Sequence, residues 1–79
     1  MNSSQIPLSK LAIGKKANVI SLTSGGTVRR RMLDLGIING TEIEPLYKSP
    51  SGNPVAYLIR GTVIALRSDT SEKIIVSVQ

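Results

Sequence analysis

Cysteine, histidine, phenylalanine and tryptophan are all missing from this 79-residue chain. Without cysteine there is neither a disulfide staple nor a thiolate metal site, a usage that fits a reducing compartment. Without histidine the commonest metal ligand and the usual general base are gone. Tyr47 and Tyr57 are the whole aromatic complement. That is too little for the stacking platforms on which single-strand nucleic-acid binders rely, or for the aromatic grooves that hold proline-rich peptides. Long apolar runs are missing too. Val63-Ile64-Ala65-Leu66 is typical of those present, far short of the ~20 residues of a membrane-spanning helix. Met1-Asn2-Ser3-Ser4-Gln5 carries neither the charged nor the apolar region of a signal peptide. Residues 1–5 are expected to be a flexible tail on a single domain spanning 1–79, and the protein is expected in the cytoplasm without membrane insertion.

Acidic residues are sparse: five Asp+Glu stand against ten Lys+Arg, for a net charge of +5. Such a balance points to an acidic partner, whether nucleic acid, an anionic surface or an acidic protein face. The carboxylates Asp34, Glu42, Glu44, Asp69 and Glu72 are scattered along the chain. Glu42 and Glu44 share one strand face by the period of two and read as solvated. Ser24-Gly25-Gly26-Thr27 stands before a helical pattern but has neither the lysine nor the spacing of a phosphate-binding loop. No nucleophile–base pair can be assembled. The chain therefore reads as non-enzymatic, and no cofactor or metal is assigned to it.

Apolar periodicity supplies the architecture. Leu8 and Leu11 anchor the first segment, Pro7 suits the start of a helical turn, and Gly14 a turn. Lys16–Thr23 alternates loosely and reads as a strand broken by Ser24-Gly25-Gly26. Thr27–Leu35 places Val28, Met32 and Leu35 on one helical face, widened by Leu33. Gly36 stands where a left-handed cap belongs, with Ile37 able to close it. Asn39-Gly40 signals a turn, and Thr41–Lys48 reads as a strand in which Pro45 demands an edge or a bulge. Ser49–Pro54 is a loop. Val55–Arg60 and Thr62–Arg67 read as strands around Gly61, and Ile74–Val78 as the last strand. Asp69-Thr70-Ser71-Glu72 resembles a helix cap with an acid three residues on. Gly36, Gly40, Gly52 and Gly61 are expected to be structural turns. About five short strands and one short helix in this length point to a mainly β fold, a small closed or nearly closed barrel.

One stretch fits that economy poorly. Arg29-Arg30-Arg31 occupies the start of the expected helix, where the macrodipole disfavours cations by roughly 0.3–1 kcal/mol each. Successive helical residues point about 100° apart, so the three cannot share a face. One is expected to pair with Asp34 or another acid. The remainder, with Met32, Leu33 and Leu35, form the candidate partner-binding surface. Guanidinium suits bidentate recognition of carboxylates or phosphates.

Read from residue 6 to 78, the chain resembles the FeoA family. The resemblance rests on Pro7-Leu8, Leu11, Gly14, Arg29-Arg30-Arg31-Met32-Leu33-Asp34-Leu35-Gly36, Gly40, Pro50, Gly52, Pro54, Gly61, Ala65-Leu66-Arg67, Ile74 and Val76. It implies an SH3-like barrel with the helix inserted between the first two main strands, similar to the C-terminal domain of DtxR-type metal-dependent repressors. It also implies a non-enzymatic accessory role in ferrous iron uptake, by contact with the FeoB transporter at its cytoplasmic GTP-binding region or membrane part. Asn39 stands where the family often has proline, and Pro45 where it usually has an aliphatic residue. The competing readings are a basic barrel that binds nucleic acid, a partner the leading reading does not assign, so that no nucleic acid is expected, and a stand-alone metal-responsive regulator. Self-association is compatible with each.

Overall fold

Alternation along the last strand shows how the core is built. Ile74 and Val76 are buried while Ile75 and Ser77 are only partly covered, the pattern of a strand with one face inward. The computed structural model describes residues 5–22 and 25–79. Its elements are β1 (Gln5–Pro7), a single 3-10 turn (Leu8–Lys10), β2 (Ala17–Leu22), α1 (Gly26–Asp34), β3 (Glu42–Lys48), β4 (Val55–Ile59), β5 (Thr62–Leu66), α2 (Ser68–Ser71) and β6 (Ile74–Val78). The strands form one antiparallel sheet in the order β1-β6-β2-β3-β4-β5. Leu8, Ala17, Val19, Ile43, Tyr57, Ile59, Leu66, Ile74 and Val76 meet Met32 and Ile37 in the core. Each fully buried Leu or Ile contributes roughly 1.5–3 kcal/mol.

The expected barrel is corrected to an open sheet of six strands. β1 lies partly within the stretch expected to be a tail. It pairs Gln5, Ile6 and Pro7 with Ser77, Val76 and Ile75. Three residues are too few to carry a periodic signal, so it could not be read from the sequence. The edge strands β1 and β5 do not pair with each other. Each runs instead into a helical turn, β1 into Leu8–Lys10 and β5 through Arg67 into α2, and these two turns pack together. Helical turns therefore occupy the place where a closing ladder would run.

β3 carries a bulge beside Pro45 but is not an edge. β3 lies between β2 and β4, with a register shift between Pro45 and Tyr47. The ladder from β2 covers only Ile43 and Glu42, so the missing N–H of Pro45 falls beyond it. The Pro45 carbonyl accepts from the Gly14 N–H at 2.8 Å. The Asp69 cap is also corrected. The cap falls two residues earlier, at Arg67, whose side chain contributes no bond to α2. Asn53 supplies the cap from a distant loop. Its Oδ1 accepts from the Ser68 N–H at 2.9 Å and its Nδ2 donates to Ser68 Oγ at 3.3 Å.

The β4–β5 hairpin turns on Arg60-Gly61, both with positive φ (53° and 81°), the geometry of a type I′ turn. Arginine is strained there. Arg60→Asn is expected to raise stability by up to about 1 kcal/mol in urea unfolding. A loss would mean that the packing of the Arg60 stem outweighs turn strain. Tyr57 is buried in β4, and burial pushes its phenol above the usual value, partly offset by a hydrogen bond with the Ser71 hydroxyl. A raised folded-state pKa stabilises fully below the unfolded value of 10.0 and is lost as pH rises through the folded value. Stability is thus expected to fall above pH ~10 in the native chain. Tyr57→Phe should remove that part of the alkaline decline while costing about 0.5–1.5 kcal/mol at neutral pH.

Candidate functional site

The helix carrying the arginines begins and ends on backbone geometry rather than side-chain caps. Gly25 is its cap residue, with no side-chain bond. At the other end Gly36 (φ 85°) donates to the Leu33 carbonyl at 2.9 Å and Ile37 donates to the Met32 carbonyl at 2.9 Å. This is a Schellman closure, sealed by the buried Met32 and Ile37 side chains. Gly36 is further constrained because a Cβ there would sit 3.2 Å from Cδ of Arg60.

The connection from α1 to β3 is fastened by Thr41. Its Oγ1 donates to the Gly36 carbonyl and accepts from the Ile38 N–H, each at 3.2 Å. Its carbonyl accepts from the Val19 N–H at 2.9 Å, while the Val19 carbonyl accepts from Gly40 at 2.7 Å. Helix exit, β2 and the start of β3 are therefore one unit.

Gly26 opens the helix with a positive φ (65°), so the helical backbone itself begins at Thr27, as expected. Arg31 falls in the last turn, where a cation is favoured. The charge conflict expected from the sequence is thereby lifted for Arg31 and stays for Arg29 and Arg30. Arg29 meets a backbone group: its Nη1 donates to the Leu22 carbonyl at 3.3 Å.

The six candidate residues divide between two sides of the helix. Arg29, Arg30 and Leu33 line an open groove of about 550 Å³ with Gly26 and Thr27. Arg29 and Leu33 continue into a smaller groove, of about 230 Å³, with Leu22 and Ile38. Leu33 and Ile38 are each 45% exposed, a large apolar surface for so small a protein. Arg31, Met32 and Leu35 face the other way, into a cleft with Ile64, Leu66, Arg67 and Thr70. Met32 is 2% exposed and supports the helix from the core, so it offers little surface. The Val28 side chain and residues Thr23 and Ser24 lie outside the described residues.

Ile38 was not identified from the sequence. Its signal was a second isoleucine after the cap-closing Ile37, more apolar surface than the closure needs. A further groove, of about 480 Å³, runs between Lys16, Ile38, Glu42, Glu44, Leu58 and Arg60. Among the described residues no three His, Cys, Asp or Glu side chains gather as metal ligands. No described helix is long and apolar enough to cross a membrane.

The FeoA domain family model matches residues 6–78. The chain belongs to the FeoA family. It is 31% identical over 67 residues to an Fe(2+) transport protein A/FeoB fusion protein of Porphyromonas gingivalis, covering 85% of this chain and only 8% of that relative's length. The FeoA-like protein of Clostridium acetobutylicum superposes with a TM-score of 0.88 at 37% identity, over 99% of this chain and 90% of that one. A FeoA of Stenotrophomonas maltophilia, solved with zinc and described as an SH3 domain protein, matches at TM-score 0.78 and 26% identity, over 96% and 89% of the two chains. A manganese-dependent transcriptional repressor shares the fold at TM-score 0.87 and 15% identity, over 100% of this chain and 44% of that one. The family is thus tied to ferrous iron transport, and the similarity to metal-dependent repressors is one of fold.

Thr41→Val is expected to strand a part-buried N–H and carbonyl, costing about 1–3 kcal/mol. Urea unfolding measures the cost, and amide shifts are expected to concentrate on residues 19 and 36–41.

Proposed function

We propose that this FeoA protein is a non-enzymatic cytoplasmic accessory of ferrous iron uptake that binds the FeoB transporter through the outer side of α1. The observation that carries the reading is the relative in which the homologous domain is covalently joined to FeoB. Fusion of two functions in one chain supports association of the separate proteins. The surface is argued from the structure. Exposed Arg29 and Arg30 flank the exposed apolar side chains of Leu33 and Ile38. Arginine beside aliphatic surface suits a protein interface, where apolar contact supplies affinity and guanidinium pairs with carboxylates. Arg31, Met32 and Leu35 stabilise the helix on its other side and have no necessary part in this contact.

The net charge of +5 favours an acidic face on the partner and fast, salt-sensitive association. The GTP-binding region of the transporter is the soluble candidate for that face, and the membrane part is the alternative.

An amide titration of the labelled chain with the soluble GTP-binding region of its own FeoB, with and without guanine nucleotide, tests the proposal. Shifts are expected on residues 29, 30, 33 and 38. Arg29→Glu with Arg30→Glu should weaken binding by roughly tenfold, about 1.4 kcal/mol, and leave stability within about 0.5 kcal/mol. Undiminished binding by that variant would remove the outer side of α1 from the interface. No shifts with either the soluble region or the detergent-solubilised transporter would remove direct contact.

A further inference from the structure

The two edges of the sheet are unequal. β1 is three residues long, contains Pro7 and turns at once into a 3-10 turn. Those features blunt an edge. β5 has none of them. Thr62-Val63-Ile64-Ala65-Leu66 carries no charge, no proline and no bulge, and its register with β4 is unbroken. Ile59 and Thr62 flank the two-residue turn and form its closing hydrogen-bonded pair, so Tyr57–Ile64 and Val55–Leu66 follow as the further bonded pairs. The N–H and carbonyl of Val63 and of Ala65 consequently point away from the sheet. Neither residue has another backbone partner among the described residues. Val63 is 55% exposed.

This edge runs along the cleft already described beside α1. Arg31, Met32 and Leu35 line one side, Ile64, Ala65, Leu66 and Arg67 the other, around about 270 Å³. The cleft combines three features: a strand edge with unmet backbone groups, an aliphatic floor, and two arginines with no carboxylate among the lining residues. An edge strand beside a helix is a geometry suited to strand addition, in which main-chain bonds give affinity and alternate side chains enter the cleft.

We propose that the β5–α1 cleft binds an extended acidic peptide segment, added as a seventh strand against Val63 and Ala65, with its carboxylates held by Arg31 and Arg67. About five residues would span the strand, at ~3.3 Å each. A second copy of this chain fits less well. Pairing β5 with β5 would bring two chains of net charge +5 together, each with the same two arginines and no acid in the strand. The site lies on the opposite side of α1 from the transporter contact proposed above and does not depend on it.

The test uses the full labelled chain and a blocked eight-residue peptide alternating glutamate and valine. Amide shifts are expected over residues 62–67 and at 31 and 35, and exchange of the Val63 and Ala65 amides should slow at least roughly tenfold at saturation. The same peptide N-methylated at alternate residues should not bind. The Arg31→Glu, Arg67→Glu double variant should lose the glutamate peptide and gain the lysine–valine counterpart. Equal binding of the methylated peptide would overturn strand addition, and no binding at ~1 mM peptide would overturn the site. Protection of Val63 and Ala65 that rises with protein concentration alone, with a doubled sedimenting mass, would assign the edge to a second copy instead. The transporter titration on the Arg31→Glu, Arg67→Glu variant separates the two proposals, because it should still shift residues 29, 30, 33 and 38.

Discussion

Thr41 joins three elements through one residue, and the usable surfaces of this protein depend on that join. The hydroxyl holds the exit of α1 by the Gly36 carbonyl and the Ile38 N–H, and the backbone pairs with Val19 of β2. A nine-residue helix without side-chain caps is too short to be stable alone in water. Its orientation comes from Met32 and Ile37 in the core and from the fastening at Thr41. The same fastening fixes Ile38 beside Leu33. An interface needs side chains held in relation to one another before binding, since ordering them on contact weakens affinity. Here that order is built by two part-buried hydrogen bonds and a Schellman turn.

The strands were legible because alternation survives in short segments when one face is buried. Ile74–Val78 agrees with its expected limits, and β2, β3, β4 and β5 each begin or end within one residue of them. What escaped was fixed by contacts distant in sequence. β1 exists because β6 offers it an edge. The α2 cap lies in Asn53, 15 residues from Ser68, where no local motif could show it. Barrel closure was inferred from strand count and turn frequency. Those quantities do not encode whether the edge strands meet, and here two helical turns occupy the gap between them. Pro45 was half legible: chemistry demanded relief from a ladder bond, and a β2 ladder that ends before Pro45 met the demand without placing the strand at an edge.

The candidate surface was legible as a segment but not as a geometry. A run of three arginines marks the helix, yet two of them sit on one side and the third on the other, in the last turn where the dipole favours it. Ile38 lies outside the helix in sequence and joins its surface only because Thr41 holds the connection in place. Periodicity cannot find such a residue, because no repeat relates it to Leu33.

The two sides of α1 differ in the interaction each can support. Its outer side offers side chains only: guanidinium groups and the exposed aliphatic residues Leu33 and Ile38, set along open grooves. That composition suits a folded protein face, which brings its own shape and charge. The inner side adds an unpaired strand edge, whose backbone groups no folded, fully paired surface can satisfy. An extended segment can satisfy them, because its own N–H and carbonyl groups are free. One short helix thus separates a surface matched to folded partners from a cleft matched to extended ones. A charge change at Arg29 or Arg30 acts on the first, and one at Arg31 or Arg67 on the second. Because each pair lines its own groove, the two sides can be altered independently, provided the Thr41 fastening that positions the helix stays intact.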